Sequence, residues 1–251
     1  MKILILIVGS FIIFILSTLS GGGASLLLMP LIAFAVGVKS VAPIMTLGIA
    51  MSSSSRVFYF WRDIDWDLFK VLFPSTIIGS FLGARLFAEL SSDYLQVIIG
   101  IFLLATVFQF FQKKDQVLKR RIKRWHFIPI GFLISFLSGL IGGVGPLMNS
   151  AYMNYGMTKE SLIGTRSANA VVLHITKILS YAYYGYVTGE VLKYGIILGI
   201  TAVVSNYFGK LLLGKISEII FRKIVITTMV VSGMMMLMKH KDFIQGMFNG
   251  G

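Results

Sequence analysis

The sequence predicts an all-α integral membrane protein made of two inverted repeats, each a glycine-broken helical hairpin followed by three transmembrane helices. Three observations predict it. The 251 residues are 56% hydrophobic and 13% charged, with mean hydropathy +0.85, and their apolar residues come in runs rather than in alternation. Glycines interrupt two of these runs, at Gly21, Gly22 and Gly23 and again at Gly142, Gly143 and Gly145. The features around the first break return in the same order around the second.

The first half, residues 1–112, opens with the apolar run Ile3 to Leu19. Met1-Lys2 ahead of it has the look of a secretory signal, but the same pattern recurs after residue 126, where no signal can stand. The break at Gly21 to Gly23 follows, then a short helix from Ala24 to Val36. Thirteen residues rise only about 20 Å, which is short for a perpendicular crossing and fits a hairpin that returns to its starting face. Val41 to Trp61, Phe69 to Leu90 and Tyr94 to Phe111 each approach the roughly 20 residues a span needs.

Residues 113–126, KKDQVLKRRIKRWH, carry seven Lys or Arg against one Asp. A solvated cytoplasmic linker that fixes topology explains this run, and with it much of the net charge of +13. Nucleic acid is therefore not an expected partner; the lipid bilayer is.

The second half, residues 127–242, repeats the first, and residues 243–251 form a tail. Leu16-Ser17 before Gly21-Gly22 parallels Leu137-Ser138 before Gly142-Gly143, and Gly37-Val38 before Thr46 parallels Gly156-Met157 before Thr165. Asp67 to Lys70 parallels Glu190 to Lys193, and Ala84-Arg85-Leu86 parallels Gly209-Lys210-Leu211. A short helix, Leu147 to Asn154, precedes the spans Leu162 to Tyr184, Tyr194 to Leu213 and Ile224 to Met238. If Phe127 to Asn154 returns as a hairpin, Lys159, Arg166, Lys210, Lys215, Arg222 and Lys223 lie on the inner side with the linker. A single crossing would reverse them, so the excess of inner cations favours the hairpin. An odd number of elements per half then inverts one repeat relative to the other.

The breaks are the first candidate site. Helices that restart inside a membrane present free N–H groups and the positive end of a dipole, an arrangement suited to an anion. Gly21, Gly22, Gly23, Ala24 and Ser25 at the first break, and Gly142, Gly143, Gly145 and Asn149 at the second, are the binding candidates there. The alternative is that the glycines only let helices approach closely.

All ten acidic residues fall in loops or at span ends, leaving no carboxylate at mid-membrane for a cation carrier, a proton relay or an aspartyl protease. The ionisable groups inside spans are basic. Arg166, Asn169, His174 and Lys177 run broadly along one side of the span 162–184, with Arg166, Asn169 and Lys177 as binding candidates and His174 as a candidate for proton coupling. The corresponding first-half span holds Thr46, Ser52 to Ser55 and Arg56, where hydroxyls either line an oxyanion path or bond back to their own helix. With no cysteine, three scattered histidines and no phosphate-binding glycine loop, no metal, cofactor or catalytic constellation is visible, and the protein is expected not to be an enzyme.

The pattern resembles the sulfite exporter TauE/SafE permeases, also grouped as toluenesulfonate uptake permeases. The likeness rests on Ser17 to Gly23 followed by Met29-Pro30, on Ser138 to Pro146, on Gly164-Thr165 opening a polar span, and on the basic central loop. It implies a prokaryotic plasma-membrane carrier for a small sulfur-containing anion such as sulfite, sulfoacetate or another organosulfonate, working by alternating access. An anion channel is the nearest alternative, and a membrane enzyme or assembly factor the alternative of another class. Cargo, direction, coupling ion and any homo-oligomeric state are left open by the sequence.

Overall fold

The computed structural model describes residues 2–19, 24–111, 122–144, 147–211 and 218–239. Within them the chain forms ten α-helices: α1 (Lys2–Leu19), α2 (Ala24–Ala35), α3 (Val38–Tyr59), α4 (Trp66–Glu89), α5 (Ser92–Phe111), α6 (Phe127–Ile141), α7 (Asn149–Tyr155), α8 (Lys159–Tyr183), α9 (Gly189–Leu211) and α10 (Glu218–Lys239). Short 3₁₀ turns, Trp61–Asp63 and Arg124–His126, precede α4 and α6. No strand occurs among the described residues.

The helices have the apolar character that lipid requires. Trp66–Glu89 and the run Arg124–Ile141 are long and apolar enough to cross a bilayer, and Ile3–Ile15, Ala24–Ala35, Ser92–Val107 and Met229–Met238 are shorter apolar stretches. Large apolar side chains point outward, Phe58 at 89% exposure and Leu179 at 65% among them, while serine, threonine and glycine turn inward. Such a distribution suits a lipid solvent, where small residues let helices approach closely, here around a buried apolar cluster that includes Leu28, Met29, Ile44 and Phe87.

Each helix overlaps the span its sequence signal predicts, though α9 and α10 begin earlier, at Gly189 and Glu218 rather than at Tyr194 and Ile224. Asp65 caps α4, its Oδ1 accepting from Leu68 N at 2.9 Å, and Thr158 caps α8, its Oγ1 accepting from Ser161 N at 3.3 Å. The short helix expected at 147–154 starts slightly later, as α7, after a turn at Leu147 and Met148.

The helices pair crosswise between the halves. α4 packs on α6 and α1 on α9; α3 packs on both α8 and α9, and α8 on both α3 and α4; α5 packs on α10. The α4–α6 contact is the tightest, because a Cβ placed on Gly83 would lie 2.0 Å from the Phe136 carbonyl oxygen and one on Gly139 would lie 2.5 Å from that of Ser80. Backbone meets backbone there, and only glycine permits it.

Both hairpins fold back. Gly9 of α1 lies against Leu31 of α2, so α2 runs back along α1. At the second break the ends of the α6–α7 unit meet. Arg124, just before α6, donates through Nε to the Tyr155 hydroxyl at 2.8 Å, and Ile122 N donates to the Asn154 carbonyl at 3.3 Å. A single crossing would hold these ends a membrane thickness apart. Arg124 also pairs with Asp67 at 3.2 Å, and Asp65 N donates to Thr165 Oγ1 at 2.8 Å, so the starts of α4 and α8 share this face. At the opposite ends of the helices, Lys39 at the start of α3 donates to the Phe87 and Leu90 carbonyls that end α4 and to the Tyr186 hydroxyl between α8 and α9. Its ammonium stands 5.1 Å from the Tyr186 ring centre and 5.3 Å from that of Phe87.

Candidate functional site

The site is built where α6 ends. Gly142 closes the helix, its N–H donating to the Ser138 carbonyl at 3.0 Å, with φ at 99°. The left-handed region suits glycine, and an added Cβ would in any case come within 2.9 Å of Ala42 Cα on α3. Gly143 continues into the cleft beside α2: a Cβ on it would lie 3.0 Å from Ser25 Cβ and 3.2 Å from the Met45 methyl. Ser25 is 8% exposed and stands second in α2. Thus the end of α6 meets the start of α2, one from each half. Gly21, Gly22, Gly23 and Gly145 lie outside the described residues.

Lys177 reaches this junction from α8. Its Nζ donates to the Gly142 carbonyl at 2.7 Å and to Ser138 Oγ at 3.2 Å, and the residue is 0% exposed. One turn on, the Tyr181 hydroxyl donates to the Gly139 carbonyl. Both side chains occupy carbonyls that α6 leaves without an intrahelical partner, and the lysine charge complements the negative end of that helix dipole. A lysine this deep would be costly against lipid, and here it faces protein on every side.

The other candidates on α8 reach different helices. Arg166 donates through Nη1 to Asn149 Oδ1 at 2.9 Å, tying α8 to the first residue of α7. Asn169, 7% exposed, accepts through Oδ1 from Thr76 Oγ1 of α4 at 2.7 Å. His174 is 4% exposed, and its Nδ1 has no hydrogen-bond partner. Arg166 and Lys177 are eleven residues apart on one helix, about 16 Å of rise, so they cannot hold one small anion together. The polar series is a track along the helix rather than a single pocket.

Several neighbours escaped the sequence reading. Ser138, Thr76, Tyr152 and Tyr181 look like ordinary helix residues in sequence, and their roles follow from which helices pack. Arg56 carried a usable signal, as the one cation inside the span Val41 to Trp61, but it stands directly after a run of four serines whose hydroxyls are the commoner polar groups there. Ser54 does bond back to the Ala50 carbonyl at 3.0 Å, whereas Ser53 Oγ accepts from Arg56 Nη2 at 3.3 Å.

Among the described residues no salt bridge joins Arg56, Arg166 or Lys177 to a carboxylate, and no group of His, Asp and Glu could hold a metal ion. Of the nearby acids, Asp65 caps α4 and Asp67 pairs with Arg124.

No curated protein and no solved structure matches the chain. The family described as Sulfite exporter TauE/SafE matches it over residues 5–236, which takes in both breaks, the basic linker and all of α8. From this match, which spans nearly the whole length, it follows that the chain belongs to the sulfite exporter TauE/SafE family, a family of membrane transporters.

Proposed function

We propose that this protein is a secondary permease of a prokaryotic plasma membrane that moves a small sulfur-containing anion, such as sulfite, sulfoacetate or another organosulfonate, by alternating access. The observation that carries the reading is Lys177, fully buried at the junction of Gly142, Gly143 and Ser25 with no carboxylate partner among the described residues. An anion at that junction would meet a lysine ammonium, the Ser25 and Ser138 hydroxyls and the backbone amides of a helix start. Asn149, Arg166 and Asn169 extend the polar track from there.

Two inverted repeats supply the motion. In this reading α1–α5 and α6–α10 are the repeats, and the crosswise packing supports it: exchanging each helix for its counterpart turns the α4–α6 contact into α9–α1 and the α3–α9 contact into α8–α4. The hairpin ends support it too, since α7 finishes beside Arg124 while the chain leaving α2 enters α3 beside Lys39, at the other ends of the helices. With the basic linker cytoplasmic, α7 finishes inside and α2 outside. Rocking one repeat against the other would then expose the junction to each side in turn.

The test is thermal unfolding of the purified protein in detergent against sulfite, thiosulfate, sulfoacetate, taurine, sulfate and simple carboxylates. A ligand bound only by the folded state raises the midpoint as its concentration exceeds Kd. A selective, saturable rise with sulfite or a sulfonate is expected. Equal behaviour of sulfur anions and carboxylates would contradict the substrate class.

A further inference from the structure

Lys177 is not the only cation within a span that has no carboxylate partner among the described residues. Arg56, near the end of α3, turns its guanidinium back along the helix to Ser53 Oγ, 3.3 Å away, and so toward the seam with α8. Where α3 ends it meets α8 closely, since a Cβ on Gly164 would lie 2.8 Å from the Phe60 carbonyl oxygen; Arg56, one turn before Phe60, and Arg166, two residues after Gly164, therefore share this level of the seam, with His174 and Lys177 further along α8. The four basic side chains therefore form a continuous ladder from the α7 end of α8 to the glycine junction. Guanidinium groups gathered in a poorly solvated place repel, and with no carboxylate paired to them among the described residues a bound anion relieves them.

Unpartnered polar atoms lie along the same ladder. The Tyr152 hydroxyl is 0% exposed, has no hydrogen-bond partner and belongs to α7, one turn from Asn149, which accepts from Arg166. His174 Nδ1, equally buried, has none either. Buried polar atoms are normally satisfied, so two orphans flanking an unpaired guanidinium pair indicate ligand positions. Accessibility is graded in the same direction: Arg56 is exposed, Arg166 half-buried and Lys177 enclosed. An anion arriving from the α7 side meets the arginines first.

We propose that Arg56 and Arg166 form a second anion-binding station, with the Tyr152 hydroxyl as a neutral ligand, from which substrate is handed past His174 to Lys177 at the break. The proposal rests on the permease reading. It also narrows the substrate class. Two guanidinium forks match several oxygens of one oxyanion and balance two negative charges, so this station favours a dianion such as sulfite over a monoanionic sulfonate.

The experiment measures initial rates of protein-dependent flux in proteoliposomes at alkaline pH, where sulfite is a dianion, with methanesulfonate as the monoanionic probe. Wild type is compared with Arg56→Gln, Arg56→Lys and, as a surface control, Arg62→Gln. Arg56→Gln is expected to raise the KM for sulfite about tenfold or more while leaving the maximal rate within about twofold, and to erase the preference for sulfite over methanesulfonate. Arg56→Lys keeps the charge and loses the fork, so an intermediate KM is expected, and it decides the matter if the glutamine variant does not purify as a folded protein. Arg62→Gln should match wild type. An unchanged KM and preference in the Arg56 variants, beside an active wild type, would overturn the station. No saturable sulfite flux in wild type would instead overturn the permease reading, and the station with it.

Discussion

Lys177 concentrates the physics of this protein in one residue. It sits fully buried in a bundle whose acids, among the described residues, lie at helix ends or between helices, and what it holds is a carbonyl, that of Gly142, and a serine hydroxyl. Carbonyls stabilise an ammonium without neutralising it, so in the proposed site Lys177 offers a positive charge to an anion. Lys177→Ala is expected to weaken anion binding by about 2 kcal/mol or more and to remove the anion-dependent rise in unfolding temperature, while Asn169→Ala, which breaks only the bond to Thr76, reduces it less. Retention of the full rise in both variants would remove these side chains from the account. The sequence made Lys177 conspicuous, because a lysine in an apolar span must find a partner. It could not name that partner, since Ser138 and Gly142 lie at the end of a helix more than thirty residues away and only the packing of both α6 and α8 on α4 brings them within reach. Arg56 was legible in the same way and was outweighed by the serine run beside it.

Among the elements, helix periodicity and length carried most of the reading, and tertiary contact the rest. The spans expected at Phe69 to Leu90 and Tyr94 to Phe111 became α4 and α5 nearly residue for residue, because Asp65 caps the first and apolar sequence continues to its end. Hairpin versus single crossing at Phe127 to Asn154 could be argued only from loop charges in the sequence; Arg124 against Tyr155 decides it by contact. The glycines of α4 and α6 were not anticipated, since a glycine in a membrane span announces close packing but not its partner. They give a clear prediction. Gly83→Ala puts a Cβ 2.0 Å from the Phe136 carbonyl and must push α4 and α6 apart, so a loss of about 1–3 kcal/mol of stability is expected in denaturation of the purified protein. Gly189→Ala, at the open start of α9 with nothing within 4 Å, should change stability by less than about 0.5 kcal/mol. Equal tolerance at both positions would mean that the α4–α6 seam is looser than described.

Across the whole molecule, orientation and exchange between faces are what the fold must deliver. The chain contains no cysteine, so single introduced cysteines report topology without a background. A cysteine replacing Gln116 in the basic linker should react with a membrane-impermeant maleimide only after cells are permeabilised, and one replacing Thr188, between α8 and α9, should react in intact cells. The opposite pattern would invert every assignment of inside and outside. Composition, the two glycine breaks and the charged linker are what carry the expectation of this arrangement in the sequence, whereas the split of the basic track into positions about 16 Å apart is a property of the folded α8. The central claim, that the molecule carries a sulfur anion across the membrane by alternating access, is tested most directly by counterflow. Proteoliposomes preloaded with unlabelled sulfite and diluted into trace labelled sulfite should accumulate label transiently above equilibrium, at a rate that saturates with external sulfite and is lost in Lys177→Ala. Label that only equilibrates through the protein at a non-saturating rate would establish a channel, and label that enters no faster than in protein-free vesicles would contradict sulfite transport itself.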